Sequence, residues 1–254
     1  MIAGVAILPS APLLVQGVAP RSPAGVEEVR EAVDRVVASL PPADVTVLLA
    51  ASAPGSSGSE SSARGLYGAA EASLAGVGRA DLSRWVDVSV PAMEAITRVA
   101  QYPLLRRETL PLSLSVLALL LGSHRCFAPV AVPATADFAA LVGVGAATAQ
   151  AMEGAGLSGT VVATGDCSAG LGERAPLASV DGAREWDEAA VAAVAGGRLD
   201  RLEPLGPARA ERVGALGWAP MAALYGVCER AKTNVGLRLY AAPRGVGYLV
   251  GGRR

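Results

Sequence analysis

Ser10 stands between two prolines in Leu8-Pro9-Ser10-Ala11-Pro12-Leu13-Leu14, directly after an uncharged apolar run that begins at Ile2. Asp166, Cys167 and Ser168 stand together in Thr164-Gly165-Asp166-Cys167-Ser168-Ala169, after a second apolar run. An acid, a thiol and a hydroxyl on one short segment could face a small ligand or move a proton. A plainer reading competes: Asp and Ser in loops bond nearby backbone N–H groups. Cys167 as a nucleophile needs a base or a lowered pKa. No His or Lys neighbours it in sequence, which favours a small buried thiol. The chain has one histidine, His124, in Gly122-Ser-His-Arg125. It reads as a helix-end residue that complements the helix dipole.

Two glycine-bearing stretches invite a nucleotide reading and fail it. Gly55-Ser-Ser-Gly-Ser-Glu60 lacks the Lys-Ser/Thr ending of a phosphate-binding loop and reads as an ordinary loop. Gly143-Val-Gly145 falls inside a helical pattern and not after a strand, so it lacks the context of a dinucleotide fingerprint.

The elements that must position these residues alternate between strand and helix. Ile2, Val5, Ile7 and Leu8 suit a strand buried on both faces, ended by Pro9 and Pro12. Ser10 then sits at the carboxyl end of a central strand, where ligands bind in open α/β sheets. Ser22-Pro23 has the form of a helix start. Val26, Val29, Val33, Val36, Val37 and Leu40 recur at spacings of three and four with charges between them, which predicts an amphipathic helix. Further strands are predicted over 45–51, 85–90, 127–132, 160–164, 237–241 and 246–250. Helices are predicted from Pro91 to Gln101, from Leu110 to Leu121, from Thr135-Ala-Asp137 to Glu153, and over 185–194, 207–216 and 220–231. The Leu112–Leu121 run is too short to span a bilayer, which takes about 20 residues, and reads as a core helix. Ala-Pro-Arg-Gly joins the last two strands as a hairpin. The expectation is one layered α/β/α domain over residues 1–254, with a mostly parallel central sheet and a C-terminal antiparallel hairpin.

Composition excludes several classes. The 254 residues are 52% hydrophobic and 18% charged, with a net charge of −1, so a large core is expected and disorder is not. No Lys/Arg block marks a nucleic-acid binder. Cys126, Cys167 and Cys228 are odd in number and widely spaced. They suit a reducing cytoplasm and neither a zinc ribbon nor a disulfide scaffold. The N-terminus lacks the basic region of a signal peptide.

Three segments, taken in order, resemble the catalytic B subunit of class III extradiol ring-cleavage dioxygenases, the family of protocatechuate 4,5-dioxygenase. Members open with a strand and Pro-His-Pro-Pro-Leu-Leu, where this chain has Pro9-Ser10-Ala11-Pro12-Leu13-Leu14. They carry Ser-Gly-Asp-x-Ser-His after a later strand, where this chain has Thr164-Gly165-Asp166-Cys167-Ser168-Ala169. The ending Pro243-Arg244-Gly245-Val246-Gly247-Tyr248-Leu249-Val250 is similar to that of actinobacterial relatives. The resemblance implies a ferrous ion on two histidines and one glutamate, with a further histidine as acid/base, on a face that leaves positions open for a catechol and O₂. Residue by residue, Ser10 takes the first ligand position, Ser52 or Ala53 the second, and Ala169 the acid/base position. Glu211 is the nearest candidate for the glutamate. One histidine cannot supply three imidazoles.

The resulting expectation is a degenerate dioxygenase-like protein without Fe(II) or another cofactor, serving as a small-molecule-binding or protein-interaction module. Ser10, Ser52, Asp166, Cys167, Ser168 and Glu211 are its pocket candidates. The alternative is an active enzyme of the extradiol dioxygenase-like superfamily, acting on a small aromatic or other metabolite through a non-standard site that need not hold a metal. The expected partners are a small-molecule ligand and either a second copy or another protein, with neither nucleic acid nor membrane, in the cytoplasm.

Overall fold

The apolar strands assemble in one sheet, and their alternation divides the core into two layers. A computed structural model describes residues 1–19, 24–52, 65–68, 70–105, 109–122 and 125–253. The strands are β1 (Ile2–Leu8), β2 (Val45–Ser52), β3 (Gly65–Tyr67), β4 (Ala70–Leu74), β5 (Arg79–Val86), β6 (Leu104–Leu105), β7 (Phe127–Pro133), β8 (Gly159–Thr164), β9 (Val235–Ala241) and β10 (Tyr248–Arg253). Eight of them form a sheet in the order β6-β3-β7-β2-β8-β1-β10-β9, and β4 pairs with β5 apart from it. The centre, β7-β2-β8-β1, is parallel. β10 and β9 extend it as the antiparallel hairpin, and β3 closes the other side antiparallel to β7. β3 pairs with β7 only at Ala131 and Val130, which leaves Pro129 where a missing N–H is tolerated.

The helices are α1 (Val26–Ser39), α2 (Val90–Ala100), α3 (Leu112–Leu121), α4 (Phe138–Gly154), α5 (Ala183–Ala195), α6 (Pro207–Val213) and α7 (Trp218–Ala231). Val5, Ile7, Val47, Leu49, Val161 and Ala163 face one layer, made by α2, α4, α5, α6 and α7. Ala6, Leu8, Leu48, Ala50 and Val162 face the other, made by α1 and α3. This is the period-2 alternation of a strand buried on both sides. The layered, mostly parallel α/β architecture with a C-terminal hairpin is therefore as expected.

α3 is a core helix, with Leu114, Val116, Leu117 and Ala118 inaccessible to solvent. Among the described residues, no helix is long and apolar enough to cross a membrane. Gly145 lies inside α4, as the helical pattern requires, and its role is packing. A Cβ there would stand 1.7 Å from the carbonyl oxygen of Ala223 on α7. Gly226 on α7 approaches the carbonyl of Val142 in the same way, at 2.0 Å. Glycine at both places lets the two helices cross in near backbone contact.

Several boundaries differ from expectation. The strand expected over 85–90 ends at Val86, because Ser89 caps α2 by accepting the N–H of Ala92 and Val90 is already helical. The helix expected to reach Leu216 stops at Val213, where Gly214 adopts a left-handed φ of 72°. A 3-10 segment at Leu199–Leu205 was not expected. The Ser22-Pro23 helix start, the Gly55–Glu60 loop, Ala53 and His124 lie outside the described residues.

Candidate functional site

β1 and β8 are neighbours, and their pairing sets Ile7 beside Ala163 and Leu8 beside Thr164. β2 lies on the other side of β8, with Leu49 beside Ala163. Counting three residues on from that row reaches Ser10, Asp166 and Ser52. The parallel register thus brings all three to the carboxyl end of the sheet, Ser52 as the last residue of β2 and Ser10 and Asp166 each two residues beyond the end of β1 and β8.

Ser10 and Asp166 meet. The Ser10 backbone N–H donates to Asp166 Oδ1 at 2.9 Å and to Oδ2 at 3.1 Å, and the Ser10 hydroxyl donates to Oδ2 at 2.5 Å. Ser10 is only 7% exposed. Burial pushes the Asp166 carboxyl above the usual carboxylate range, and the hydrogen bonds from Ser10 pull the other way. The acid and the hydroxyl therefore satisfy each other across two strands. Tyr248, which pairs with Asp166, has its phenol pushed up to about 12 by burial and by the Asp166 charge.

The remainder of the exit loop is bound on every side. Asp166 C=O accepts the N–H of Gly217. Cys167 N–H donates to Gly247 C=O, and Gly247 N–H donates to Ser168 C=O. Ala169 N–H donates to Val213 C=O at the end of α6. Cys167 is buried, and burial together with the Asp187 and Asp166 charges raises its thiol well above the ordinary value. That is the environment of an inert thiol and not of a nucleophile.

Ser168 leads to a residue that the sequence did not single out. Its N–H donates to Asp187 Oδ1 at 2.8 Å, and Tyr240 on β9 donates its hydroxyl to Asp187 Oδ2 at 2.6 Å. Asp187 is 2% exposed, on α5. Burial raises its carboxyl above the usual range, against the hydrogen bonds from Tyr240 and Ser168. The Ser168 hydroxyl is itself fully buried and meets hydrogen-bond geometry with nothing, although it lies near enough to Asp187 to favour the charged form. A Cβ on Gly247 would stand 2.1 Å from Asp187 Oδ2, so glycine is what allows the last turn to close on this acid. A signal for Asp187 was present. It falls on the buried stripe Ala183, Trp186, Ala190 and Val194 of an amphipathic helix, where a carboxylate is out of place.

Glu211 is not part of either cluster. It is exposed on α6 and lines a separate cavity of about 190 Å³, with Thr135, Leu177, Gly214, Ala215 and Trp218. Ala169 borders this cavity through Gly214 and Leu177. The six sequence candidates thus divide into a Ser10–Asp166 clasp with Ser52 in the same row, a buried Cys167, a Ser168–Asp187–Tyr240 chain and an isolated Glu211.

These donors do not fit a ferrous ion. Ser10 presents a neutral hydroxyl that is already donating to Asp166, Ala169 has no proton-transfer group, and Glu211 stands apart. Among the described residues, no three His, Cys, Asp or Glu side chains gather as metal ligands would.

The chain matches no family model and no curated protein. It is similar in structure to an uncharacterized protein, JW3007, from Escherichia coli K12, with a TM-score of 0.61 at 12% identity. The match covers 99% of each chain. At that identity the likeness establishes the fold.

Proposed function

We propose that this chain is a degenerate protein of the class III extradiol dioxygenase type, without iron and without ring cleavage, that serves as a small-molecule-binding module in the cytoplasm. The observation that carries the reading is the commitment of Ser10. Where the resemblance calls for an imidazole ligand, its N–H and hydroxyl are both spent on Asp166. The cavity beside Ala169 supports the binding half of the proposal. At about 190 Å³ it is smaller than most ligand pockets but exceeds the roughly 150 Å³ apolar cavity that takes up one benzene ring, and Trp218, Leu177 and Ala215 give it apolar walls with Thr135 and Glu211 at hand for polar groups. Three free cysteines are consistent with a reducing compartment.

The alternative, an active enzyme with a non-standard site, requires catalytic groups gathered on one cavity. The division of Asp166, Cys167, Ser168 and Glu211 among separate surroundings argues against it. A partner-docking role has one observation in its favour. Trp85 (70% exposed), Val90 and Leu104 leave apolar surface in solvent, and Val90 and Leu104 line a cavity of about 620 Å³ beside α2.

The test is to offer the purified protein Fe(II), O₂ and protocatechuate together. The expected result is no oxygen uptake above the background, with reversible binding of the catechol seen by NMR. Thr135→Trp, an exposed change at the cavity mouth, should weaken that binding about tenfold. Oxygen consumption linked to catechol loss would overturn the loss of ring cleavage. Undetectable binding of the catechol would overturn the assignment of the cavity.

A further inference from the structure

On the other side of the exit loop lies a second cavity, of about 370 Å³, between α5 and β9. This is within the size range of small-ligand sites, roughly 300–1,000 Å³. Arg184, Asp187, Glu188 and Val191 line it from α5, and Tyr240 lines it from β9. The four helix residues are spaced i, i+3, i+4 and i+7, so they share one face. Leu171 and Ala242 add apolar wall.

The charges of this cavity are not neutralised from within the protein. Asp187 is nearly inaccessible, and both of its hydrogen-bond donors, the Ser168 N–H and the Tyr240 hydroxyl, are neutral. Among the described residues, Arg184, Asp187 and Glu188 form no ion pair. A carboxylate buried without a counter-cation is costly, and a ligand cation would relieve that cost. Arg184 lies near enough to Tyr240 for its charge to favour the phenolate, so an unpaired cation faces the same space. Positions three and four apart on a helix are about 5–6 Å apart. Two acids and one base on one helix face, with long side chains at Arg184 and Glu188, present both signs of charge to the adjacent ammonium and carboxylate of an α-amino acid.

We propose that the α5–β9 cavity is a binding site for a small amino-acid zwitterion with an apolar side chain. Its ammonium is directed to exposed Glu188, within the field of the buried Asp187 charge behind it, its carboxylate to Arg184, and its side chain to Leu171 and Val191. The site is independent of the cavity beside Ala169, because the exit loop separates them. Ser168 bonds to Asp187 on one side, and Ala169 bonds to Val213 on the other.

The experiment is calorimetric titration of the full chain with three probes: L-leucine, 3-methylbutylamine, which lacks the carboxylate, and 4-methylpentanoate, which lacks the ammonium. Leucine should bind most tightly, the amine about tenfold more weakly, and the acid more weakly still. Arg184 and Glu188 are exposed, so their replacement leaves the core intact. Arg184→Ala should weaken leucine about tenfold and leave the amine unchanged, and Glu188→Gln should weaken both. Absence of leucine binding at concentrations up to about 50 mM, or equal binding to the wild-type chain and both variants, would overturn the proposal.

Discussion

The Ser10 hydroxyl reaches Asp166 at 2.5 Å, and without it the carboxylate loses its side-chain donor and is left to backbone N–H groups, that of Ser10 first among them. Ser10→Ala should therefore destabilise the fold by about 1–3 kcal/mol, read as a lower urea midpoint at an unchanged slope. The two buried acids also fix a pH dependence. Asp166 and Asp187 both have carboxyls raised by burial, so the folded chain holds their protons more tightly than the unfolded one. Their contribution to stability is full below about pH 4, the unfolded value, and is lost as pH rises through the raised folded value. Exposed Asp44 and Asp81 and partly buried Asp200 run the opposite way, because hydrogen bonds from Ser158, Arg79 and Arg198 lower their pKa values. A difference measurement separates the two groups. The stability of the wild-type chain relative to Asp187→Asn should fall as pH is raised from about 4 to 7, and a flat difference would contradict the assignment. At this scale the sequence was half legible. Ser10 and Asp166 could be read because each follows a strand that ends in a recognisable breaker. Tyr240 lies 53 residues from Asp187, and only the fold brings the two together.

Elements were most legible where the periodicity was strong. The parallel strands 45–52 and 159–164 are short β-branched runs, and α1 carries a valine at almost every inward position. Elements too short for a period were not legible, such as two-residue β6 and the 3-10 turns at Leu199–Leu205. The α4–α7 crossing shows the same limit. Gly145 and Gly226 are ordinary glycines in sequence and become contact residues only when the helices are laid together. With Ala223 oxygen 1.7 Å from where a Cβ would stand, Gly145→Val should cost about 3 kcal/mol or more. Gly143, a neighbouring helical glycine with nothing near its Cβ position, should tolerate Ala with no loss of thermal stability. Paired melting curves of Gly145→Val and Gly143→Ala check both expectations.

On the scale of the whole molecule, one parallel sheet delivers the ends of β1, β2 and β8 to a common row, and the two flanking layers determine what gathers there. The proposed loss of iron rests on the side chains in that row. Under that proposal a serine bonded to a neighbouring acid, a second serine and an alanine further along take the positions for which the resemblance calls for imidazoles. The likeness to the Escherichia coli structure over 99% of both chains fits a scaffold that persists at 12% identity. Composition announced a large core, through a large apolar fraction and few charges, the alternation of strands and helices announced the layered sheet, and both were silent on how the site within it is closed. The most direct measurement is equilibrium dialysis of the purified chain against ferrous iron without oxygen, followed by metal analysis of the protein. The account predicts far less than one iron per chain, unchanged in Ser10→Ala. One tightly held iron per chain, lost when Ser10 or Asp166 is replaced, would contradict it.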